Sequence, residues 1–112
     1  MLRDIAFTGG RRYTDDIKVY EVLRVLNPDR VMVGDADGLD RLVRTFCKRL
    51  QIPYHTFKAD WDAHGKAAGP IRNREMLQSG AQILVAFPGG RGTENCVKQA
   101  KELGITVLRV EE

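Results

Sequence analysis

Short apolar runs alternate with longer amphipathic segments along the chain, and this alternation constrains the fold more than any other feature. The strand-like runs read "DIAF", "RVMV", "YHTF", "QILVAF" and "ITVLRV". Apolar residues at helical spacing separate them, at 15–26, 39–50, 70–79 and 93–103. This βαβαβαβαβ order predicts an α/β fold: a single Rossmann-like, three-layer domain with a five-stranded parallel sheet and helices on both faces.

The connections between these segments predict the strand order. We expect the order 3-2-1-4-5, because it places the turns after strands 1 and 4 side by side at the topological switch point. The continuous apolar runs "ILVAF" and "ITVL" are typical of strands that are buried on both faces.

Composition bounds the class of protein. The chain has 112 residues, which suits one domain over 1–112, and its net charge is only +3, well short of an obligate nucleic-acid binder. It has two cysteines far apart and no apolar run that could span a bilayer. We therefore expect a reduced, cytoplasmic protein that binds no membrane, and nucleic acid is an unlikely partner.

Two strand-to-helix turns, "TGGRRYTDD" and "PGGRGTEN", each carry a glycine doublet and arginine. Both should lie beyond the carboxyl ends of the strands, where glycine lets the backbone approach an anion and a helix N-terminus offers unpaired N–H groups. The alternative is that the glycines only make tight turns, and neither turn matches a Walker or GxGxxG motif. The sequence predicts a phosphate-binding cradle formed by Thr8, Gly9, Gly10 and Arg11 with Pro88, Gly89, Gly90, Arg91, Gly92 and Thr93.

The turn after the second strand, "GDADGLD", is acidic. Gly34, Asp35 and Asp37 are candidates for ribose recognition, because a carboxylate can accept hydrogen bonds from a diol; a Mg²⁺ site is a second possibility. A structural role competes: Asp37 can cap the second helix, and we assign Asp40 mainly to a favourable position in its first turn. We predict no structural metal and no cofactor.

The irregular stretch at 59–69 is a candidate lid or binding loop. Trp61, the only tryptophan, is a candidate for stacking on a base, with a packing role equally open. Arg72 and Asn73 open the next helix and should face the same sheet edge, so we predict that they contact phosphate or ribose.

Four segments together carry a resemblance that covers almost the full chain: "FTGGRRYTD", "VMVGDADGLDRLV", "FKADWDAHGKAAGPIRNREML" and "LVAFPGGRGTENCV". The chain resembles the SLOG superfamily, which includes the LOG phosphoribohydrolases and the DNA-processing protein DprA, and within it the YspA-type, YpsA-related family. The resemblance implies a Rossmann-like fold, a nucleotide or nucleotide-derived ligand such as an ADP-ribose-like molecule, and a homo-oligomer.

Whether such a chain binds or cleaves its ligand depends on one position. LOG proteins carry a glutamate in the pattern PGGxGTxxE, and this sequence has Cys96 there, with Glu94 about 200° away on the helix. We therefore expect a binding protein that senses or sequesters a nucleotide. The alternative is an N-glycosidase acting on nucleoside monophosphates, with Asp35 and Cys96 as weak catalytic candidates. Single-stranded DNA binding, as in DprA, ranks third.

Overall fold

A computed structural model describes residues 3–111. In chain order the strands and helices are β1 (Asp4–Thr8), α1 (Asp16–Leu26), β2 (Arg30–Gly34), α2 (Leu39–Leu50), β3 (Tyr54–Phe57), α3 (Trp61–His64), α4 (Ala68–Gln78), β4 (Ile83–Ala86), α5 (Arg91–Glu102) and β5 (Thr106–Arg109). A short 3-10 turn, Gly65–Ala67, joins α3 to α4.

The five strands form one parallel sheet in the order β3-β2-β1-β4-β5, which confirms the predicted fold class and strand order. Thr8, at the end of β1, pairs with Ala86 of β4, and its neighbour Phe7 pairs with Val33 of β2. The carboxyl ends of these three central strands are therefore aligned, and the turns that follow them meet at one edge of the sheet.

Alternating strand residues separate two hydrophobic cores. On one face Ile5 and Phe7 pack with residues of α1 and α2, including Leu23 and Val43. On the other face Ala6 packs with residues of α4 and α5. Helices therefore cover both faces of the sheet, as the βα alternation predicts.

The last strand differs from the prediction. We expected "ITVL" to be buried on both faces, but β5 lies at the sheet edge and Leu108 is 41% exposed. Leu108 pairs with Val85, so it belongs to the face that α1 and α2 cover. Those helices pack over the centre of the sheet and leave this outer strand uncovered, so the prediction of double burial is wrong.

The stretch at 59–69, predicted to be irregular, is mostly helical. Asp60 caps α3 through a 3.0 Å hydrogen bond from the Ala63 amide, and α4 begins at Ala68, so that Pro70 lies in its first turn. Within the described part of the chain, no helix has the length and apolar character needed to cross a membrane.

Candidate ligand-binding site

The glycine-rich turns after β1 and β4 lie against each other at the carboxyl edge of the sheet. The Gly10 amide donates a 2.9 Å hydrogen bond to the Pro88 carbonyl. A Cβ added to Gly10 would lie 3.0 Å from that carbonyl oxygen, and one added to Gly89 would lie 2.7 Å from the Gly10 nitrogen. Glycine is therefore needed at both positions for the turns to make contact. We call the paired segments, residues 8–11 and 88–93, the cradle.

The N-terminus of α5 faces the open side of the cradle. Gly90 occupies the N-cap position, and no side chain caps the helix there. The first amides of a helix have no partner within the helix, and its dipole favours negative charge at this end. A Cβ added at Gly90 or Gly92 would have no other atom within 4 Å, so the backbone here borders open space. This helix end has the geometry of an anion site.

The N-terminus of α2 lies on the same sheet edge but is used internally. Its N-cap is Gly38, with φ of +71°, and a Cβ there would overlap the Gly10 carbonyl. The Leu39 amide donates a 3.1 Å hydrogen bond to that same carbonyl. The prediction that Asp37 caps α2 is therefore wrong: the close approach of the first turn leaves room only for glycine at the cap.

A cavity of about 950 Å³ opens over the cradle, a volume suited to a nucleotide-sized ligand. It contains thirteen of the predicted ligand-binding residues: Thr8, Gly9, Gly10, Arg11, Trp61, Arg72, Asn73, Pro88, Gly89, Gly90, Arg91, Gly92 and Thr93. Its wall also includes residues that were not predicted to bind a ligand, among them Tyr13, Asp40 and Asn95.

The acidic turn borders a smaller neighbouring cavity of about 200 Å³. Asp35 and Asp37 line it, and it shares Arg11, Trp61 and Arg72 with the larger cavity. Gly34 lines neither cavity. It instead lies beneath the side chains of Asp40 and Arg72, since a Cβ at Gly34 would overlap both.

Arg72 and Asn73 hold the cavity wall together. Arg72 Nη1 donates to Asp35 Oδ1 at 2.9 Å and to the Phe57 carbonyl at 3.3 Å, while its Nε donates to Asn73 Oδ1 at 3.1 Å. Asn73 Nδ2 donates to the Gly92 carbonyl and so ties α4 to the first turn of α5. Among residues 3–111, no acceptor is bonded to Arg72 Nη2, which leaves this nitrogen for a ligand.

Trp61 and Arg11 bridge the mouth of the cavity. The Arg11 guanidinium carbon lies 5.5 Å from the centroid of the Trp61 ring, within cation–π range, and the tryptophan is 47% exposed. A flat aromatic surface and a positive charge therefore lie together at the entrance, where a base and a phosphate can each be contacted.

The position of Asp40 differs from what the sequence suggested. We assigned it mainly to stabilising the first turn of the second helix, but it is only 6% exposed and lies in the cavity wall. Burial raises its pKa from 3.8 to about 6, against the lowering effects of Arg72, the Ala36 amide and Arg44. A sequence signal existed: Asp40 precedes the buried residues Val43 and Cys47 by three and seven positions, which places it on their helical face.

Cys96, a weak catalytic candidate, has no exposed surface and does not line either cavity. Burial raises the pKa of its thiol to about 12, which disfavours the thiolate that a nucleophile requires. Glu94 lies on the outside of α5 and pairs with Arg109 at 2.8 and 2.9 Å, a pairing that lowers its pKa. As its position on the helix predicts, Glu94 points to solvent.

A metal ion at the site would need a group of side chains that could bind it. Within residues 3–111, no three or more His, Cys, Asp or Glu side chains are grouped so that they could hold a metal ion. Arg11, Arg72 and Arg91 line the larger cavity, with the carboxylate of Asp40 in the same wall.

No protein-family model matches the chain. It is 33% identical to the Gene 61 protein of Mycobacterium phage D29 over a 119-residue alignment that covers 96% of this chain and 95% of the relative. The chain therefore belongs to the same family as this phage protein.

Proposed function

We propose that this protein binds a nucleotide or nucleotide-derived ligand, such as AMP or an ADP-ribose-like molecule, and that it binds without efficient cleavage. The observation that carries the proposal is the cradle: two glycine-rich turns in direct contact, with the uncapped N-terminus of α5 open to the cavity. A ligand phosphate would accept hydrogen bonds from these amides, and Arg91, now exposed, would add a charge-assisted bond.

The other walls of the cavity suit the rest of a nucleotide. Trp61 offers a stacking surface for a base, and the carboxylates of Asp35 and Asp40 lie on the side where a sugar would follow the phosphate. The resemblance to the SLOG superfamily supports the same class of ligand. It also supports a homo-oligomer, which native mass spectrometry would test by the subunit count. The two free cysteines support a reducing, cytoplasmic location.

The proposal is tested by calorimetric titration of the purified protein with AMP and with ADP-ribose. Wild-type protein should bind at least one of them, and Gly90→Val should weaken that binding by tenfold or more, because the new side chain projects into open space beside the α5 amides. Glu75→Gln is the matched control, since Glu75 is exposed on α4 outside the cavity. Equal affinity in wild type and Gly90→Val would refute the proposed site.

A cleavage reaction is the second candidate, and one observation favours it. The charges of Asp40 and Arg72 both act on the Cys96 thiol, so a carboxylate from α2 lies near the position where LOG proteins carry their glutamate. Hydrolysis of a glycosidic bond needs a carboxylate beside the sugar to stabilise an oxocarbenium-like transition state. We expect no adenine release from AMP above background. Turnover that disappears in Asp40→Asn would favour the enzyme instead.

A further inference from the structure

One oxygen of Asp40 has no partner although the residue is 94% buried, being 6% exposed. Its Oδ2 accepts a 3.3 Å hydrogen bond from the Ala36 amide. Among the described residues no donor is bonded to Oδ1, and Asp40 lines the large cavity. Oδ1 is not among the fully enclosed side-chain atoms that lack a partner, which in the described residues comprise Arg30 Nε alone, so it is open to the cavity. A carboxylate oxygen in this position can accept a hydrogen bond from a bound ligand.

The position of Asp40 relative to the cradle decides which part of a ligand it meets. Its carboxylate lies over Gly34, at the end of β2, because a Cβ on that glycine would lie 2.6 Å from Asp40 Oδ2. The cradle follows β1 and β4, and β1 separates β2 from β4. Since neighbouring strands are about 5 Å apart, Asp40 lies about one strand spacing from the β1 turn, on the β2 side of the cradle. A group one sugar ring away from the phosphate would reach it.

The sign of the charge also limits the ligand. A carboxylate next to an anion site repels a bare phosphate but accepts a hydrogen bond from a hydroxyl group. We propose that Asp40 determines the specificity of the cavity: its free oxygen accepts a hydrogen bond from a ribose hydroxyl of a nucleotide whose phosphate lies in the cradle, an inference that rests on the proposed function.

Asp35, the carboxylate that the sequence favoured for ribose, is less suited to this role. Its Oδ1 already accepts from Arg72 Nη1 at 2.9 Å and from the Ala59 amide at 3.3 Å. It is also exposed and borders only the smaller cavity. Because Asp40 is largely buried, a hydrogen bond to its open oxygen forms with less competition from water than one to Asp35, so it discriminates more strongly between ligands.

The experiment compares AMP with its 2′,3′-dideoxy analogue, which keeps the base and phosphate and lacks both ribose hydroxyls. Affinities are measured for wild type, Asp40→Asn and Asp35→Asn, with Glu75→Gln as a control for the lost charge. Wild type and Glu75→Gln should prefer AMP by about tenfold or more, the range of a hydrogen bond to a charged group. In Asp40→Asn the preference should fall to about threefold or less, without loss of affinity for the dideoxy analogue.

The dependence on pH provides a second measurement. The charged groups around Asp40 are Arg44 on its own helix, Arg72 from α4 and Asp35 from the preceding turn, with the Cys96 thiol of α5 nearby. With a pKa of about 6, the carboxylate gains a proton as the pH falls through 6 and becomes a weaker, uncharged acceptor. The preference for AMP should therefore decrease between pH 7.5 and 5 in wild type. The phosphate titrates equally in both ligands, so its effect cancels in the ratio.

The outcomes separate this inference from the proposed function. If Asp35→Asn removes the hydroxyl preference and Asp40→Asn keeps it, Asp35 recognises the sugar and the inference is wrong. If wild type binds both ligands equally and Gly90→Val binds neither, the cradle is correct and the role of Asp40 is wrong. If Asp40→Asn weakens both ligands by the same factor, its role is structural. Absence of binding to wild type would overturn the proposed function and this inference together.

Discussion

Two helices begin with glycine at the same edge of the sheet, and the protein uses their N-termini in opposite ways. The N-cap residues are Gly38 in α2 and Gly90 in α5, and no side chain forms a capping hydrogen bond at either helix. At α2 the first amide donates to the Gly10 carbonyl, whereas the first turn of α5 opens into the cavity. A glycine at a helix start therefore does not identify an anion site; what surrounds the amides decides whether a ligand can reach them.

The acidic residues of the two first turns differ in the same way. Asp40 of α2 is buried in the cavity wall and its pKa is raised to about 6, while Glu94 of α5 is exposed and its pKa is lowered by Arg109. Negative charge is favoured near a helix N-terminus in both cases. Burial at Asp40 outweighs that benefit, which leaves a carboxyl group that titrates near neutral pH.

The largest effect should come from valine at the α2 cap, and valine at the α5 cap is the comparison. Gly38→Val forces a β-branched residue to φ of +71° and overlaps the Gly10 carbonyl, so we expect a loss of roughly 3 kcal/mol or more in unfolding free energy. Gly90→Val has φ of −108° and free space, and should change stability by less than about 0.5 kcal/mol while it weakens ligand binding. Chemical denaturation measures the unfolding free energies of the two variants. Equal destabilisation would contradict the expected difference between the two caps.

An intermediate effect is expected from Asp40→Asn. The folded state holds the Asp40 proton more tightly than the unfolded state does, so ionisation costs stability as the pH rises from about 4 through 6. The difference between pKa 3.8 and about 6 corresponds to about 3 kcal/mol, which the asparagine variant should gain at pH 8. The gain should shrink toward zero at pH 4.

The comparison for this variant is Glu75→Gln, which removes one exposed negative charge and should follow wild type across the same pH range. Urea unfolding at pH 4, 6 and 8 provides the free energies. An asparagine variant less stable than wild type at pH 8 would show that the carboxylate at position 40 contributes favourable contacts that exceed its cost of burial.

The smallest effect should come from Glu94→Gln in the first turn of α5. The Glu94 side chain is exposed and bonds only to Arg109, which is also exposed, and pairs of this kind contribute little. We expect less than a twofold increase in AMP affinity, because one screened negative charge is removed near the cradle. A tenfold loss of affinity would instead place Glu94 in contact with the ligand.

Much of the fold and of the cradle followed from local patterns. Apolar periodicity predicted the succession of strands and helices along the chain, and the topological switch point predicted the strand order in the sheet. The glycine doublets at 9–10 and 89–90 predicted which turns meet. The parts that the sequence did not predict depend on tertiary contacts. Asp37 could have capped α2 on local grounds, but the approach of the Gly10 turn requires Gly38 there. Leu108 belongs to an apolar run, and only the placement of α1 and α2 leaves it exposed.

The site shows the same division. Arg72 and Asn73 were expected at the ligand edge from their position at the start of a helix, and both line the cavity. The Asn73 amide, however, donates hydrogen bonds to the Gly92 carbonyl and to Asn95 Oδ1, and no local sequence pattern predicts these contacts. The burial of Asp40 could have been predicted from the helical face that it shares with Val43 and Cys47. An acidic residue in the first turn of a helix is, however, usually explained by the helix dipole alone.

We propose that the amides of α5, and not those of α2, bind the anion of a nucleotide. Titration of ¹⁵N-labelled protein with AMP, followed by amide chemical shifts, tests this most directly. We expect the largest shifts at Gly89, Gly90, Arg91 and Gly92, and little change at the Leu39 amide, which is held by the Gly10 carbonyl. Largest shifts at Leu39 and its neighbours, or shifts confined to residues outside the cavity, would contradict it.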